Sequence, residues 1–219
     1  MQTRILLSEE LIRIRRELQL MAARVDADMG KALSVLRSGG IELADEVRES
    51  GKIVDAMQLK IEDMAFVFIA TQQPVARDLR ELISVFKITS SLERIGDYGI
   101  HLVNAAVKLS GSPSFRFIDR IERMTGTGQE MLKAAFSAYL TQDACAARKA
   151  AALDRIIDEE HEILTEEALT LMKKHPELIK SAARILRLSG YMERLGDHIT
   201  NICEGIVFMI EGNHEELND

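Results

Sequence analysis

Apolar residues recur along this chain every three or four positions, which is the period of an amphipathic α-helix. No segment alternates apolar and polar residues convincingly with a period of two, so a β-sheet is not predicted. Glycine and proline are scarce, at 13 and 3 residues, which favours long helices. The pattern predicts six of them, over residues 8–37, 41–71, 77–109, 115–140, 143–174 and 176–210, the first capped by Ser8.

The same order of elements occurs twice: two helices, a break marked by proline, and a third helix. Residues 110–114, with the sequence Ser-Gly-Ser-Pro-Ser, form the clearest linker and lie near the middle of the chain. Helices of this length favour an antiparallel bundle. The predicted fold is all-α, with two tandem, pseudo-symmetric three-helix bundles over residues 1–110 and 115–212 and a C-terminal tail over residues 213–219.

The third and sixth helices carry the same acidic motif. Glu93-Arg94-Ile95-Gly96-Asp97 returns one hundred residues later as Glu193-Arg194-Leu195-Gly196-Asp197. A Glu and an Asp four residues apart project from one face of a helix. In the first copy this face also carries Ile83 and Phe86, and the second copy repeats the arrangement. We therefore expect each carboxylate pair to lie on the packing face of its bundle.

Two carboxylates that a neighbouring helix covers repel each other and lose hydration. Such a pair must take up a proton, find a cationic partner or bind a metal ion, and oxygen ligands suit a hard or borderline cation. The alternative is a solvated face on which the acids pair with Arg94, Arg194 or lysines across the bundle. The recurrence of the motif favours a metal site, although duplication also preserves purely structural features.

The preceding helix of each unit offers further candidate ligands. In the second unit Asp154 and Asp158 are four residues apart, and His161 follows three residues later. The related positions of the first unit, 103 residues earlier, are Gly51, Asp55 and Gln58. Only one of these three is acidic, so the second unit is predicted to hold more ligands than the first.

Composition narrows the range of functions. The formal net charge of −7 and the pI near 5.4 argue against a nucleic-acid-binding domain. The two cysteines, Cys145 and Cys203, indicate no disulfide framework, which suits a reducing cytosol. No apolar run approaches the roughly 18 residues of a membrane span, and the N-terminus shows no signal-peptide pattern, so a cytoplasmic protein is expected.

Enzymatic signatures are weak. The sequence contains no GxxxxGK[ST] phosphate loop and no GxGxxG, and nothing in it points to a nucleophilic triad. The ExxH motif of di-iron bundles does not occur in both halves. The chain is therefore interpreted as a binding protein rather than an enzyme. A metal-dependent hydrolase or redox enzyme on these carboxylates, or a metal-free helical scaffold, are the alternatives.

Three features carry a likeness to a known family. They are residues 74–80 (Pro-Val-Ala-Arg-Asp-Leu-Arg), the two Glu-Arg-x-Gly-Asp motifs, and Asn201-Ile202-Cys203-Glu204 after the second motif. In these residues the chain resembles the PhoU family, the accessory and regulatory proteins of phosphate-specific transport. The likeness covers nearly the whole chain and includes the duplicated three-helix layout.

The resemblance implies two PhoU-type bundles that bind metal clusters through their acidic motifs. The metal candidates carried over residue by residue are Glu93, Asp97, Glu193, Asp197, Asp154, Asp158 and Asp55. The implied cofactor is a divalent or iron-type ion: Fe, Mn, Zn or Mg. Gly51 stands where an acid is expected, so the first cluster is expected to be smaller, weaker or absent.

The resemblance also implies a function and partners. PhoU-type proteins are cytoplasmic negative regulators of phosphate uptake and of the phosphate-starvation response. The expected partners are the ATPase subunit of the phosphate ABC transporter and a sensor histidine kinase, through which the protein is peripheral at the inner membrane. Nucleic acid is not expected as a partner, and a homodimer is left open. The second unit lacks the Asp-Leu-Arg continuation after Pro176, so its partner surface is expected to differ.

Overall fold

The computed structural model describes residues 2–38, 40–109 and 117–218, without the side chains of residues 2–8, 38 and 109. Within these ranges the chain is all-α, as predicted, with one short 3-10 turn at Pro176–Leu178. The helices are α1 (Gln2–Ser38), α2 (Ile41–Gln72), α3 (Arg77–Leu109), α4 (Ile118–Thr141), α5 (Ala144–Ala151), α6 (Asp154–Lys174) and α7 (Ile179–Glu211). The predicted linker, residues 110–114, lies outside the described residues.

The predicted helix over residues 143–174 is wrong in one respect, because it is divided into α5 and α6. At the junction the Leu153 N–H donates to Ala150 O at 3.2 Å, and the Ile156 N–H donates to Leu153 O at 3.0 Å. These bonds span three residues instead of four, so the chain tightens to 3-10 geometry. Asp154 thereby becomes the first residue of α6.

The first helix also differs from its predicted start. It begins at Gln2, six residues before the candidate N-cap Ser8. The boundary of α3 at Arg77–Leu109 agrees with the prediction, because Pro74 and the left-handed backbone of Gln73 and Ala76, at φ 49° and 45°, separate it from α2.

The helices form two bundles that share one core. α1, α2 and α3 pack together, α4 to α7 form the second bundle, and two helix pairs join them, α3 with α7 and α1 with α4. Ser84 Oγ donates to Gly205 O at 2.8 Å between α3 and α7, and Arg37 Nε donates to Glu122 Oε1 at 2.9 Å between α1 and α4. Both joining pairs are antiparallel. None of the described helices combines the length and apolar character needed to cross a bilayer.

The two acidic motifs meet near the middle of the α3–α7 contact. Four rings cluster there, with the His101 and Tyr191 centroids 4.4 Å apart and the Tyr98 and His198 centroids 5.8 Å apart. Tyr98 directly follows Asp97 in the chain, and His198 directly follows Asp197. The contact between α3 and α7 therefore brings the two acidic motifs near each other. The sequence pattern did not predict this contact.

The carboxylate pairs lie at the edge of the packing face, not within it, which corrects the predicted burial. The side chains of Glu93 and Asp97 are 21% and 40% exposed, and Ile83 of the same predicted row is 39% exposed. The companion row of α3 forms the core, since Leu82 and Leu92 are fully buried. An apolar stripe about 100° wide centres on that row and leaves the acids at its margin.

Candidate metal centre

The second unit gathers acidic side chains from two neighbouring helices. α6 contributes Asp154 and Asp158, and α7 contributes Asp197, all three lining a cleft of about 300 Å³. Glu193 lies one turn before Asp197 on α7, and its charge reaches both Asp154 and Asp197. The structure thus brings together the four acids that the sequence predicted for this unit.

Asp154 is the most buried acid of this group, at 9% exposure. Its Oδ2 accepts a hydrogen bond of 3.0 Å from Thr200 Oγ1, whereas its buried Oδ1 has no hydrogen-bond partner among the described residues. The pKa of Asp154 is raised to about 7, chiefly by burial; the Thr200 hydrogen bond lowers it, and the charges of Asp158, Asp197 and Glu193 contribute to the rise. A buried carboxylate with one unpartnered oxygen needs a proton or a cation.

The glycine of the second motif allows this arrangement. A Cβ atom at position 196 would collide with Asp154 Oδ1 and lie 3.2 Å from Ile157 Cδ1. Gly196 therefore lets α6 approach α7 closely enough for Asp154 to reach the motif. The glycine of the first motif has no such requirement, because a Cβ at Gly96 would meet Val54 Cγ1 at an ordinary 3.5 Å.

Glu193 and Asp197 lie among both negative and positive charges. Burial raises the pKa of Glu193, Asp197 and Asp158 raise it further, and His161 and Arg194 lower it. Neither acid forms an ion pair within 4.0 Å with any described residue, so pairing with Arg194, the predicted alternative, is not observed. His161 Nδ1 lies 2.8 Å from Ser189 Oγ, which holds its ring toward α7.

The first unit is built differently at the matching positions. Gly51 takes the place of Asp154 and Ile100 that of Thr200, and the Ile100 side chain fills the space where a Cβ of residue 51 would lie. A buried carboxylate–hydroxyl pair in one unit is thus an apolar contact in the other. The expectation that Gly51 weakens the first cluster has this packing as its physical basis.

The remaining acids of the first unit are partly compensated. Arg94 Nε lies 3.5 Å from Glu93 Oε2, and Arg94 Nη1 lies 3.9 Å from Asp97 Oδ2, so the arginine alternative is realised here. Burial raises the pKa of Glu93, and the charges of Asp97 and the exposed Asp55 raise it further, while Arg94 opposes them. Long contacts from an exposed arginine stabilise little.

The donor chemistry fits a hard cation better in the second unit than in the first. Among the described residues, no group of three or more His, Cys, Asp or Glu side chains lies close enough to hold an ion as the side chains are placed. Binding therefore requires side-chain rotation. Asp154, Asp158, Glu193 and Asp197 offer only oxygens, which favour Mg²⁺, Mn²⁺ or iron over sulfur-preferring ions.

Ion pairs of Arg148 beside this cleft were not predicted from the sequence. Arg148 Nη2 lies 2.7 Å from Glu211 Oε2 and 2.6 Å from Glu215 Oε2, which fastens the segment after α7 to α5. The Leu217 N–H donates to Glu204 Oε1 at 2.9 Å, and Leu217 lines the acidic cleft. Leu217 and Asn218, from the predicted tail, thus line the candidate site together with Arg148 and Arg155.

Comparison with known proteins gives one family for the whole chain. The PhoU domain model matches residues 18–106 and 121–206. The phosphate-specific transport system accessory protein PhoU homolog of Borreliella burgdorferi is 35% identical over 192 residues, covering 85% of this chain and 86% of that protein. The homolog of Caulobacter vibrioides is 33% identical over 210 residues, covering 95% and 90%.

Solved structures agree with this result. The crystal structure of PhoU from Pseudomonas aeruginosa matches with a TM-score of 0.88 at 30% identity, over 94% of this chain and 99% of that one. The phosphate transport system regulatory protein PhoU from Streptococcus pneumoniae matches with a TM-score of 0.87 at 27% identity, over 95% and 99%.

Proposed function

Since this chain belongs to the PhoU family, we propose that it is a cation-binding regulator of phosphate transport and of phosphate-starvation signalling. Its curated relatives carry the name of phosphate-specific transport system accessory proteins, and one structural relative that of a regulatory protein. Two matched domains and near-complete coverage of these relatives support carrying the role over.

The observation that carries the cation-binding part is the environment of Asp154. Its buried Oδ1 has no partner among the described residues, and three further carboxylates surround it. Taking up a proton or binding a cation would relieve the charge of the buried Asp154, whose pKa the acids Asp158, Asp197 and Glu193 raise. Side chains from α6 and α7 would hold the ion together, namely Asp154, Asp158, Glu193 and Asp197.

A bound cation would supply positive charge between α6 and α7. Thr200 donates a hydrogen bond to Asp154, Gly196 lets the two helices approach closely, and Leu217 lines the cleft. In the first unit Asp55, Glu93 and Asp97 form a weaker set, because Gly51 and Ile100 replace the buried pair. The proposed ions are Mg²⁺, Mn²⁺ or iron, with Zn²⁺ less favoured by the all-oxygen donors.

The proposed regulation is negative and depends on contact with two partners at the cytoplasmic face of the membrane. One partner is the ATPase subunit of the phosphate ABC transporter, and the other is a sensor histidine kinase. When this protein binds one conformation of a partner more tightly than another, the partner shifts toward the conformation that is bound more tightly. The size of the shift is set by the difference between the two affinities. The chain needs no catalysis of its own for this role.

Capture from lysates tests the proposed partners. Immobilised chain is incubated with lysates of phosphate-replete and phosphate-starved cells of its own organism, and the bound proteins are identified by mass spectrometry. We expect the transporter ATPase and a sensor kinase to be enriched over a bait of equal charge and unrelated fold, and more strongly in the replete lysate. Enrichment of neither protein in either lysate would contradict the regulatory role.

A further inference from the structure

An open groove follows the contact between α1 and α4, away from the acidic cleft. It measures about 490 Å³, and its lining includes Ala22 and Ala23 from α1 and Leu132, Phe136 and Leu140 from α4. The two alanines give the groove its depth, since a larger residue at either position would fill it. Leu140 remains 55% exposed at its edge. Exposed apolar side chains that line a concave surface mark binding sites more often than scattered ones do.

The duplication shows that this end of the contact is unusual. The two domain matches begin at residues 18 and 121, a spacing of 103 residues (121 − 18), which relates Arg37 to Leu140 and Glu122 to Gln19. Arg37 and Glu122 close one end of the α1–α4 contact with two hydrogen bonds of 2.9 and 3.2 Å. At the other end the related positions, Leu140 and Gln19, leave an apolar opening.

The open end carries basic side chains in a chain whose net charge is −7. Arg16 lies on the same face of α1 as Gln19 and Ala23. Arg77 donates a hydrogen bond to Gln142, two residues beyond Leu140. Within the described residues, no carboxylate lies within 4.0 Å of the charged group of either arginine.

A third basic group lies on the α4 side of the groove. The side chain of Lys133 is 63% exposed, and its Nζ lies 3.5 Å from Asp26 Oδ2. The carboxylate of Asp26, which also lines the groove, accepts a further hydrogen bond of 3.1 Å from the neutral amide of Gln129. Lys133 and Asp26 therefore balance each other in charge, and the excess positive charge beside the apolar floor comes from Arg16 and Arg77.

We propose that the α1–α4 groove docks an amphipathic helix of a partner protein, with large apolar side chains on one face and carboxylates beside them. A gap between two antiparallel helices has the shape that receives a third helix, whose apolar row fills the floor. The flanking carboxylates meet Arg16 and Arg77, and such complementarity adds specificity. The inference is independent of the cation site, because none of these residues belongs to the acidic cleft.

A designed peptide tests this docking site directly. The probe is a labelled helix of about three heptads, with leucine at the a and d positions and glutamate at e and g. Fluorescence anisotropy measures its binding to the purified chain. Leu140→Asp places a charge in the groove, and we expect it to weaken binding at least about tenfold. The matched control is Leu169→Asp, which changes an exposed leucine (47%) of α6 outside the groove and should leave binding unchanged.

Charge is tested separately, because Arg16 is exposed and its replacement leaves the core intact. Arg16→Glu should also weaken the glutamate peptide, and a peptide with lysine at e and g should bind the unaltered chain less tightly. Equal binding of the two peptides, or undiminished binding to Leu140→Asp, would overturn the proposal. A third outcome is that the chain binds phosphatidylglycerol vesicles but neither peptide, and that Leu140→Asp abolishes the vesicle binding. This outcome would assign the groove to a membrane surface and would also overturn the proposal.

Discussion

The carboxylate of Asp154 receives one hydrogen bond, from Thr200, and has three other acids as neighbours. Its counterpart in the first unit is Gly51, and the counterpart of Thr200 is Ile100. One pair of substitutions between the two halves of the duplication therefore decides where a buried negative charge exists. The energetic cost of this buried negative charge in the folded chain depends on whether a proton or a cation is available to neutralise it.

The first prediction concerns the pH dependence of stability without a cation. Burial raises the folded-state pKa of Asp154 from 3.8 to about 7, so the folded chain holds a proton that the unfolded chain releases. Stability should consequently fall as pH rises from about 4 to about 7, by on the order of a few kcal/mol from this residue. In Asp154→Asn this part of the fall disappears.

Urea unfolding in the presence of a chelator, at pH 5 and pH 8, measures this effect. Relative to the unaltered chain, Asp154→Asn should be more stable to unfolding at pH 8 than at pH 5. Asp63→Asn, a change of an exposed acid on α2 of the first unit, is the control and should alter this difference little. If the stability difference between Asp154→Asn and the unaltered chain were the same at both pH values, the raised pKa of Asp154 would be contradicted.

At the scale of helices, the close approach of α6 to α7 decides whether the acids form one group. The approach occurs at Gly196, where a Cβ would meet Asp154 Oδ1 and Ile157 Cδ1. The same helix has a second glycine, Gly190, whose Cβ would have no neighbour within 4 Å. These two glycines offer a matched comparison.

Gly196→Ala should displace Asp154 and destabilise the chain by about 1–3 kcal/mol, the usual cost of adding an atom to a filled space. Gly190→Ala should stabilise it by about 0.5–1 kcal/mol, because alanine is the better helix former and the added methyl meets nothing. Thermal unfolding of the two variants measures both changes. A loss of stability in Gly190→Ala equal to that in Gly196→Ala would show that the close contact is not what matters.

The helices whose ends carry glycine or proline could be predicted from the sequence, and α2 and α3 begin where expected. The division between α5 and α6 could not, because it results from two short-range hydrogen bonds in a segment of alanines, residues 150–152, that reads as continuous helix. The acid spacing predicted that Asp154 and Asp158 lie near the second motif, while metal binding by these acids stays a prediction. It could not predict that Asp154 is buried more deeply than the motif acids, since this depends on packing against Gly196 and Thr200.

At the scale of the molecule, duplication has produced two similar bundles with different chemistry. The bundles join through α3 and α7, so their acidic motifs and the rings of Tyr98, His101, Tyr191 and His198 lie together. The second unit has a buried carboxylate, Asp154, whose Oδ1 has no hydrogen-bond partner among the described residues, and Leu217 lines its cleft, whereas the first has Arg94 beside its acids. We therefore expect the two units to differ in cation affinity, with the second binding more tightly.

The measurement that tests this account most directly is the metal content of the chain after purification without chelator and equilibration with Mn²⁺. Elemental analysis compares the unaltered chain with Glu193→Ala/Asp197→Ala and with the matched variant of the first unit, Glu93→Ala/Asp97→Ala. We expect the change in the second unit to remove most of the bound ion and the change in the first unit to remove less. Equal metal content in all three proteins, or none in the unaltered chain, would contradict this expectation.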